Sequence, residues 1–442
     1  MPRQMTMVGF LQAQNCTNLA MSWRHRDSRT DFMSADFYQE IGRTLERGKF
    51  HLGFFDDRLA LPDRYSGDHA HAIENGIRVV KLDPIACLMA MGMATTHLGL
   101  GATCSTTYYE PFHVARQFAT VDHLTGGRAA WNVVTSLNEG EAWNMGREEV
   151  AEHDSRYDRA DEFMEVVLGH WKSWAPDALV VNKQTGLFAH PGKVRRLDHR
   201  GAAFNSRGPF TVPHTPQGHP VIIQAGQSGR GRRFAGRWAE VIFAGGGPLP
   251  VQQRGYQQVK DEIAAAGRDP DQVHLCTLVH AVAAATKAEA EDKMAYIEKL
   301  PLEIDALSLL SEALNFDFAT KGMDEPFSDE EMASIGGIQT MRDRVVQASG
   351  KKNPTTRDFI TITGRGRPHG ALVGSPKGIA DRLEELFVNR GCDGFVVGAT
   401  HVPGAYADFV DHVVPELQRR GLYHLDYKGK TLRENLGMAI PA

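Results

Sequence analysis

The chain has 442 residues, 42% hydrophobic and 23% charged, a composition that supports an ordinary globular core. Lys and Arg number 49 against 54 Asp and Glu, a net charge of −5, so no basic excess points to nucleic acid. No stretch approaches the roughly 18 apolar residues that span a bilayer. Residues 1–10 lack a charged head followed by an apolar segment, and Cys16, Cys87, Cys104, Cys276 and Cys392 never form a CxxC pair. The expectation is a cytoplasmic protein without a disulfide framework or structural zinc.

In chain order, apolar and β-branched runs fall at 5–14, 50–57, 98–106, 128–136, 221–228, 239–245, 272–284 and 393–400. Most are continuous rather than alternating, as in parallel strands covered on both faces. Helical patterns lie between them. Residues 34–48 carry Phe37, Ile41 and Leu45 at helical spacing behind a possible Ser34 cap. Residues 83–95 begin Asp-Pro and 110–124 begin Glu-Pro, each a helix opening. Residues 252–266, 375–391 and 403–421 complete the set. Eight strand–helix alternations predict an α/β protein, a (β/α)8 TIM barrel, built as one domain over 1–442. Insertions at about 58–80, 137–220 and 286–374 are too long for simple loops and should gather over the C-terminal face of the strands. Within the last, 350–368 is rich in Gly, Lys, Arg and Pro and reads as a mobile lid or disordered loop.

Candidate chemistry sits at the ends of these runs. Asp56 and Asp57 close the second; Asp57 is either paired with Arg58 or an acid in the pocket mouth. Thr103 and Ser105 share one face of the third, as strand formers or as hydrogen-bond donors to a ligand. Asn132, inside an apolar strand, needs a partner from the barrel or from a ligand. His153 and Tyr157 are one turn apart on a helix that Asp154 could cap. That pattern lacks the convergent second histidine of a metal site. The fifth run opens into Gln227-Ser228-Gly229-Arg230-Gly231. Glycines there let backbone N–H groups approach an anion, Ser228 adds a hydroxyl and Arg230 a charge. Barrels more often bind phosphate after strands seven and eight, so a site after strand five departs from the default. No Ser/His/Asp or Cys/His nucleophile stands out, which suggests that a cofactor supplies the reactivity.

Several longer segments carry a resemblance. They are Leu45-Glu46-Arg47-Gly48-Lys49-Phe50, Thr106-Thr107-Tyr108 with Pro111, and Ala115-Arg116-Gln117-Phe118-Ala119-Thr120-Val121-Asp122-His123-Leu124. Gly127-Arg128, Trp131-Asn132-Val133-Val134-Thr135-Ser136, Glu152-His153-Asp154, Arg156-Tyr157, Gln224-Ala225-Gly226 and Thr431-Leu432-Arg433-Glu434 extend it along nearly the whole chain. The sequence resembles the bacterial luciferase-like flavin monooxygenases, in the branch of nitrilotriacetate monooxygenase component A, dibenzothiophene-sulfone monooxygenase and long-chain alkane monooxygenase. The resemblance implies FMN contacts at Asp57, Thr103, Ser136, His153, Tyr157 and Ser228. Ser228 with the N–H groups of Gln227 and Gly229 would hold the phosphate, under His153 and Tyr157. Thr103 and Ser136 would face the isoalloxazine or its ribityl chain. It also implies FMNH2 and O2 as co-reactants, a separate NAD(P)H:FMN reductase, and a homodimer or homotetramer.

The relatives carry histidine early in the first connection, where Asn18 and Ala20 stand here, so a substrate-facing imidazole is expected to be missing. Candidate substrate contacts are Phe10, Asn18, His25 and Phe55. The expected reaction is oxidative C–S or C–N cleavage of a small organosulfur, sulfone-like compound. Aminopolycarboxylates, alkanes and haloaromatics are alternatives. Two other readings keep the barrel: an F420-dependent dehydrogenase, and a non-catalytic flavin-binding protein.

Overall fold

A computed structural model describes residues 3–226 and 228–441. The eight runs become strands β1 (Thr6–Gln12), β2 (Leu52–Asp56), β3 (Gly99–Ser105), β4 (Ala129–Val134), β5 (Val221–Gln224), β6 (Val241–Ala244), β7 (His274–Ala283) and β8 (Gly394–Gly398). Each pairs in parallel with the next, and β8 returns to β1, closing the ring. This is the expected (β/α)8 barrel.

The helices of the barrel ring are α1 (Ala35–Arg47), α2 (Pro84–Met93), α3 (Pro111–Leu124), α4 (His153–Trp171), α5 (Gly229–Trp238), α6 (Leu249–Ala265) and α7 (Pro376–Val388). The last, α8, runs from Gly404–Asp408 through a π-turn at Phe409–Val413 into Val414–Arg419. Ser34 caps α1 by accepting from the N–H of Phe37, and Asp83 caps α2 with proline in its first turn. The cap of α4 differs from expectation. Glu152, not Asp154, accepts from the N–H groups of Asp154 and Ser155, which starts the helix two residues earlier.

Two apolar layers follow from the strand period of two. Outward residues such as Leu100, Ala102, Trp131, Val133 and Ile222 pack with the helices, among them Phe37, Ile41 and Leu45 of α1. Inward residues Val8, Leu52, Phe54, Ala130, Ile223, Val241, Phe243, Cys276 and Val396 fill the lumen. The C-terminal segment closes the bottom. Leu432 joins the lumen cluster, and fully buried Arg433 forms a forked pair with Glu240 at 2.5 and 3.0 Å.

Two details differ from the sequence expectation. β5 stops at Gln224, because Ser228 belongs to the next helix as its cap. Residues 350–368, expected as a lid or loop, hold a helix, Thr356–Thr363, with a Thr355/Asp358 capping box. Its Phe359 is buried with Phe318, Phe327 and Leu310. Among the described residues no helix is long and apolar enough to cross a membrane.

Candidate active site

The C-terminal end of the lumen changes character within one layer. Phe10, Phe54 and Phe243 form an aromatic tier, with centroids 5.8 Å and 4.8 Å apart. One pleat further up, the same alternation presents Gln12, Asp56, Thr103, Ser105 and His280. Asn132 Nδ2 donates to Thr103 Oγ1 at 2.9 Å, so its partner is the neighbouring strand. Its Oδ1, like Gln12 Oε1, is buried with no partner among the described residues. Ser136 Oγ donates to Ser105 Oγ at 2.9 Å.

Asp57 lines a small cavity with Thr103, Ser105, Ser136, Tyr109 and Glu141. It accepts from the N–H of Arg58 at 2.8 Å and forms no ion pair with the Arg58 side chain. Burial, reinforced by the neighbouring charge of Asp56, pushes its carboxyl up to about 7. Lys81, on the same side, is held down at about 8 by burial and by Arg58 and Arg78.

A second cluster surrounds the start of α5. Ser228 Oγ accepts from the N–H of Gly231 at 3.0 Å and stands 3.4 Å from His153 Nε2. His153 Nδ1 is 2.7 Å from Asp154. Tyr157 packs on Phe234 and sets its hydroxyl against the turn. A Cβ at Gly231 would sit 2.8 Å from that oxygen, and one at Gly226 would sit 2.9 Å from it. Only glycine permits this approach. The first N–H groups of α5 therefore open onto a concave, hydroxyl-lined turn at the positive end of a helix dipole. Arg230 does not aim its charge at that turn. It pairs with Asp158 and Asp161 of α4 at 3.0 and 2.6 Å and lies over the Tyr157 ring. Arg156 of α4 donates to the carbonyl of Ser136 at 2.9 Å, which ties this cluster to the first.

The structure thus brings Asp57, Thr103 and Ser136 together at the barrel mouth, and His153, Tyr157, Ser228 and Gly229 together at α5. Gln227 lies outside the described residues. The substrate candidates divide. Phe10 belongs to the aromatic tier, and Asn18 Oδ1 meets His280 Nε2 at 2.8 Å. His25 stacks on His401 at 3.6 Å and meets the Tyr296 ring edge-on. Phe55 packs in the outer layer against Tyr38 and lines a small cavity with Asp56, Asp57 and Lys81, while Phe54 takes the inward position.

His280 went unnoticed in the sequence, where it is one polar residue in a long apolar run. It supplies an imidazole at the mouth although Asn18 and Ala20 replace the expected histidines. Gly398 makes room for it: a Cβ there would lie 2.7 Å from its Nε2. Burial holds the ring down at about 4, hence neutral at pH 7.

The chain belongs to the luciferase-like monooxygenase family, whose model matches residues 21–394. It is 45% identical to a dibenzothiophene-sulfone monooxygenase of Rhodococcus erythropolis, over 99% of this chain and 98% of the relative. It is 38% identical to nitrilotriacetate monooxygenase component A of Aminobacter aminovorans, over 92% and 90%. Among solved structures, a riboflavin lyase with modified FMN and riboflavin superposes with a TM-score of 0.88 at 33% identity, covering 99% of this chain and 97% of that one.

Proposed function

We propose that this protein is the oxygenase component of a two-component system that oxidises a small organosulfur compound of sulfone type, with cleavage of a C–S bond. The enzyme is a flavin-dependent monooxygenase, with FMN as its cofactor and O2 as co-substrate. A separate NAD(P)H:FMN reductase, the expected partner, delivers the reduced flavin in the cytoplasm. The similarity to a sulfone monooxygenase supports the substrate class, and the name component A supports the two-part organisation.

The observation that carries the reading is the glycine-permitted turn at α5 facing an unsatisfied polar rim at the barrel mouth. The turn suits a phosphate: helix N–H groups, the Ser228 hydroxyl, and two glycines that leave room beneath Tyr157. The partnerless oxygens of Gln12 and Asn132 suit the N–H and O–H groups of a reduced flavin. In this reading Ser228 and Gly229 hold the phosphate, with Gln227 beside them, and His153 and Tyr157 cover it. Thr103 and Ser136 hold the ring or its chain. Bound FMNH2 supplies the electrons that activate O2, so that one oxygen atom enters the substrate and the other leaves as water.

The chain's own share is positioning and proton control. Asp57, titrating near neutrality, can hold or release a proton at its carboxylate oxygens as the cofactor's charge changes. Neutral His280, oriented by Asn18, offers one hydrogen bond to the substrate. The tier of Phe10, Phe54 and Phe243 keeps water out from below. Oxygen uptake with reductase-supplied FMNH2 tests the reading. Uptake coupled to product in the presence of dibenzothiophene sulfone or a related sulfone supports it. Uptake that yields only peroxide across a sulfone and sulfide panel counts against it.

A further inference from the structure

Three arginines at the barrel mouth have no counter-ion. Arg58 follows β2 directly. Arg78 lies on the loop before α2, and Arg365 follows the helix Thr356–Thr363. Among the described residues none of the three has a carboxylate within ion-pair distance. Arg78 donates through Nη2 to the carbonyl of Asn18 at 3.0 Å, while its Nε is buried without a partner. Its φ of +54° is a left-handed conformation that a non-glycine residue adopts at a cost. The nearest acids, Asp56 and Glu312, act on Arg78 from a distance and are hydrogen-bonded elsewhere. Asp56 accepts from Gln12, and Glu312 accepts from the N–H groups of Asp63 and Arg64 and from Asn138 Nδ2.

The segments that carry these arginines are locked together. Gly366 lies against the backbone of Asp305, and Asp305 pairs with Arg24 at 2.6 and 3.0 Å. Arg24 in turn donates to the carbonyl of Asn75, three residues before Arg78. The cationic character is felt within the group. Arg78 is held down at about 9 by burial and then by Arg365 and Arg58, and Arg365 at about 10 by burial and then by Arg58. Like charges gathered without ion-pair partners are destabilising unless an anion joins them.

We propose that Arg58, Arg78 and Arg365 form a subsite for a carboxylate of the organic substrate. It is distinct from the flavin phosphate turn. Arg58 and Arg78 lie on the connection after β2 and Arg365 on the connection after β7, whereas the turn follows β5, three strands from β2 around the ring. A flavin phosphate held at α5 therefore leaves these guanidinium groups to the substrate, whose sulfur would point toward His280 and Asn18. The inference rests on the monooxygenase reading for its substrate but not for its binding chemistry. A planar guanidinium fork matches a carboxylate better than any neutral group does.

The test is calorimetric titration of the whole protein with 2-(methylthio)succinate and with its dimethyl ester. The diacid should bind about tenfold or more tightly than the diester, as expected when charged hydrogen bonds are gained. Arg365→Gln and Arg58→Gln should bring the two affinities close together while leaving diester binding and FMN binding unchanged. In the unaltered protein, added salt should weaken the diacid and spare the diester, a readout that needs no variant. Equal affinities in the unaltered protein, or an unchanged ratio in folded Arg365→Gln and Arg58→Gln, would overturn the proposal. If the diacid binds selectively yet the sulfone and sulfide panel yields only peroxide, the anion subsite stands and the organosulfur reading falls.

Discussion

Ser228 uses one hydroxyl for two tasks. It caps α5 by accepting from Gly231, and its O–H remains available toward His153 or a bound anion. Ser228→Ala should lower stability by about 1 kcal/mol, the usual cost of a lost cap. It should weaken FMN binding as well, read by quenching of flavin fluorescence; an unchanged affinity would remove the phosphate assignment. Asp57 makes a pH prediction with a definite sign. Its carboxyl titrates near 7 in the folded protein, above the ordinary carboxylate range. The folded state therefore binds a proton that the unfolded chain releases. The stabilisation it contributes is present at low pH and is lost as pH rises toward 7. Asp57→Asn should flatten denaturation midpoints across that window and remove a limb near pH 7 from the activity profile. A profile unaltered in Asp57→Asn would exclude it as the titrating group. The residue pattern singled out Asp57, Tyr157 and Ser228 as candidates, and the family resemblance added Ser136. The pattern could not distinguish Phe54 from Phe55, because a strand buried on both faces has no polar residue to reveal its phase.

Single elements depend on close approaches that only the structure reveals. Gly398 in β8 faces the lumen beside His280, and a methyl group there would displace the imidazole from Asn18. Gly398→Ala should cut kcat about tenfold or more, since a misplaced group near the chemistry has that scale of effect. Its melting temperature should change little, and a fully active variant would dismiss His280. At the other end of the barrel, Arg433→Met leaves Glu240 buried and unpaired. The expected loss is about 3–5 kcal/mol in chemical denaturation. A loss under 1 kcal/mol would mean that water reaches Glu240, contrary to Arg433's 1% exposure. The caps of α1 and α2 were legible because Ser34 and Asp83-Pro84 act locally. The helix Thr356–Thr363 was not, because its stability comes from Phe359 joining aromatic residues far away in sequence.

At the level of the whole molecule, eight apolar runs and their helical connections sufficed to anticipate the closed barrel. Strand count and order are written in local patterning, and a parallel ring with crossover helices has few alternatives. The mouth was harder to foresee. Its polar rim, its neutral imidazole and its unpaired arginines are assembled from segments as distant as Asn18, Arg78, His280 and Arg365. No local spacing records that convergence. The two proposed sites divide across the ring, with the candidate phosphate turn after β5 and the arginines on the connections after β2 and β7. The central claim is that this barrel uses reduced FMN to insert one atom of O2 into an organosulfur substrate. Mass spectrometry of the product formed under 18O2, with reductase-supplied FMNH2 and a sulfone substrate, tests it most directly. The account predicts one 18O atom per oxygenated product. Product lacking the label, or turnover that proceeds without O2 and only with oxidised F420 as hydride acceptor, would contradict it.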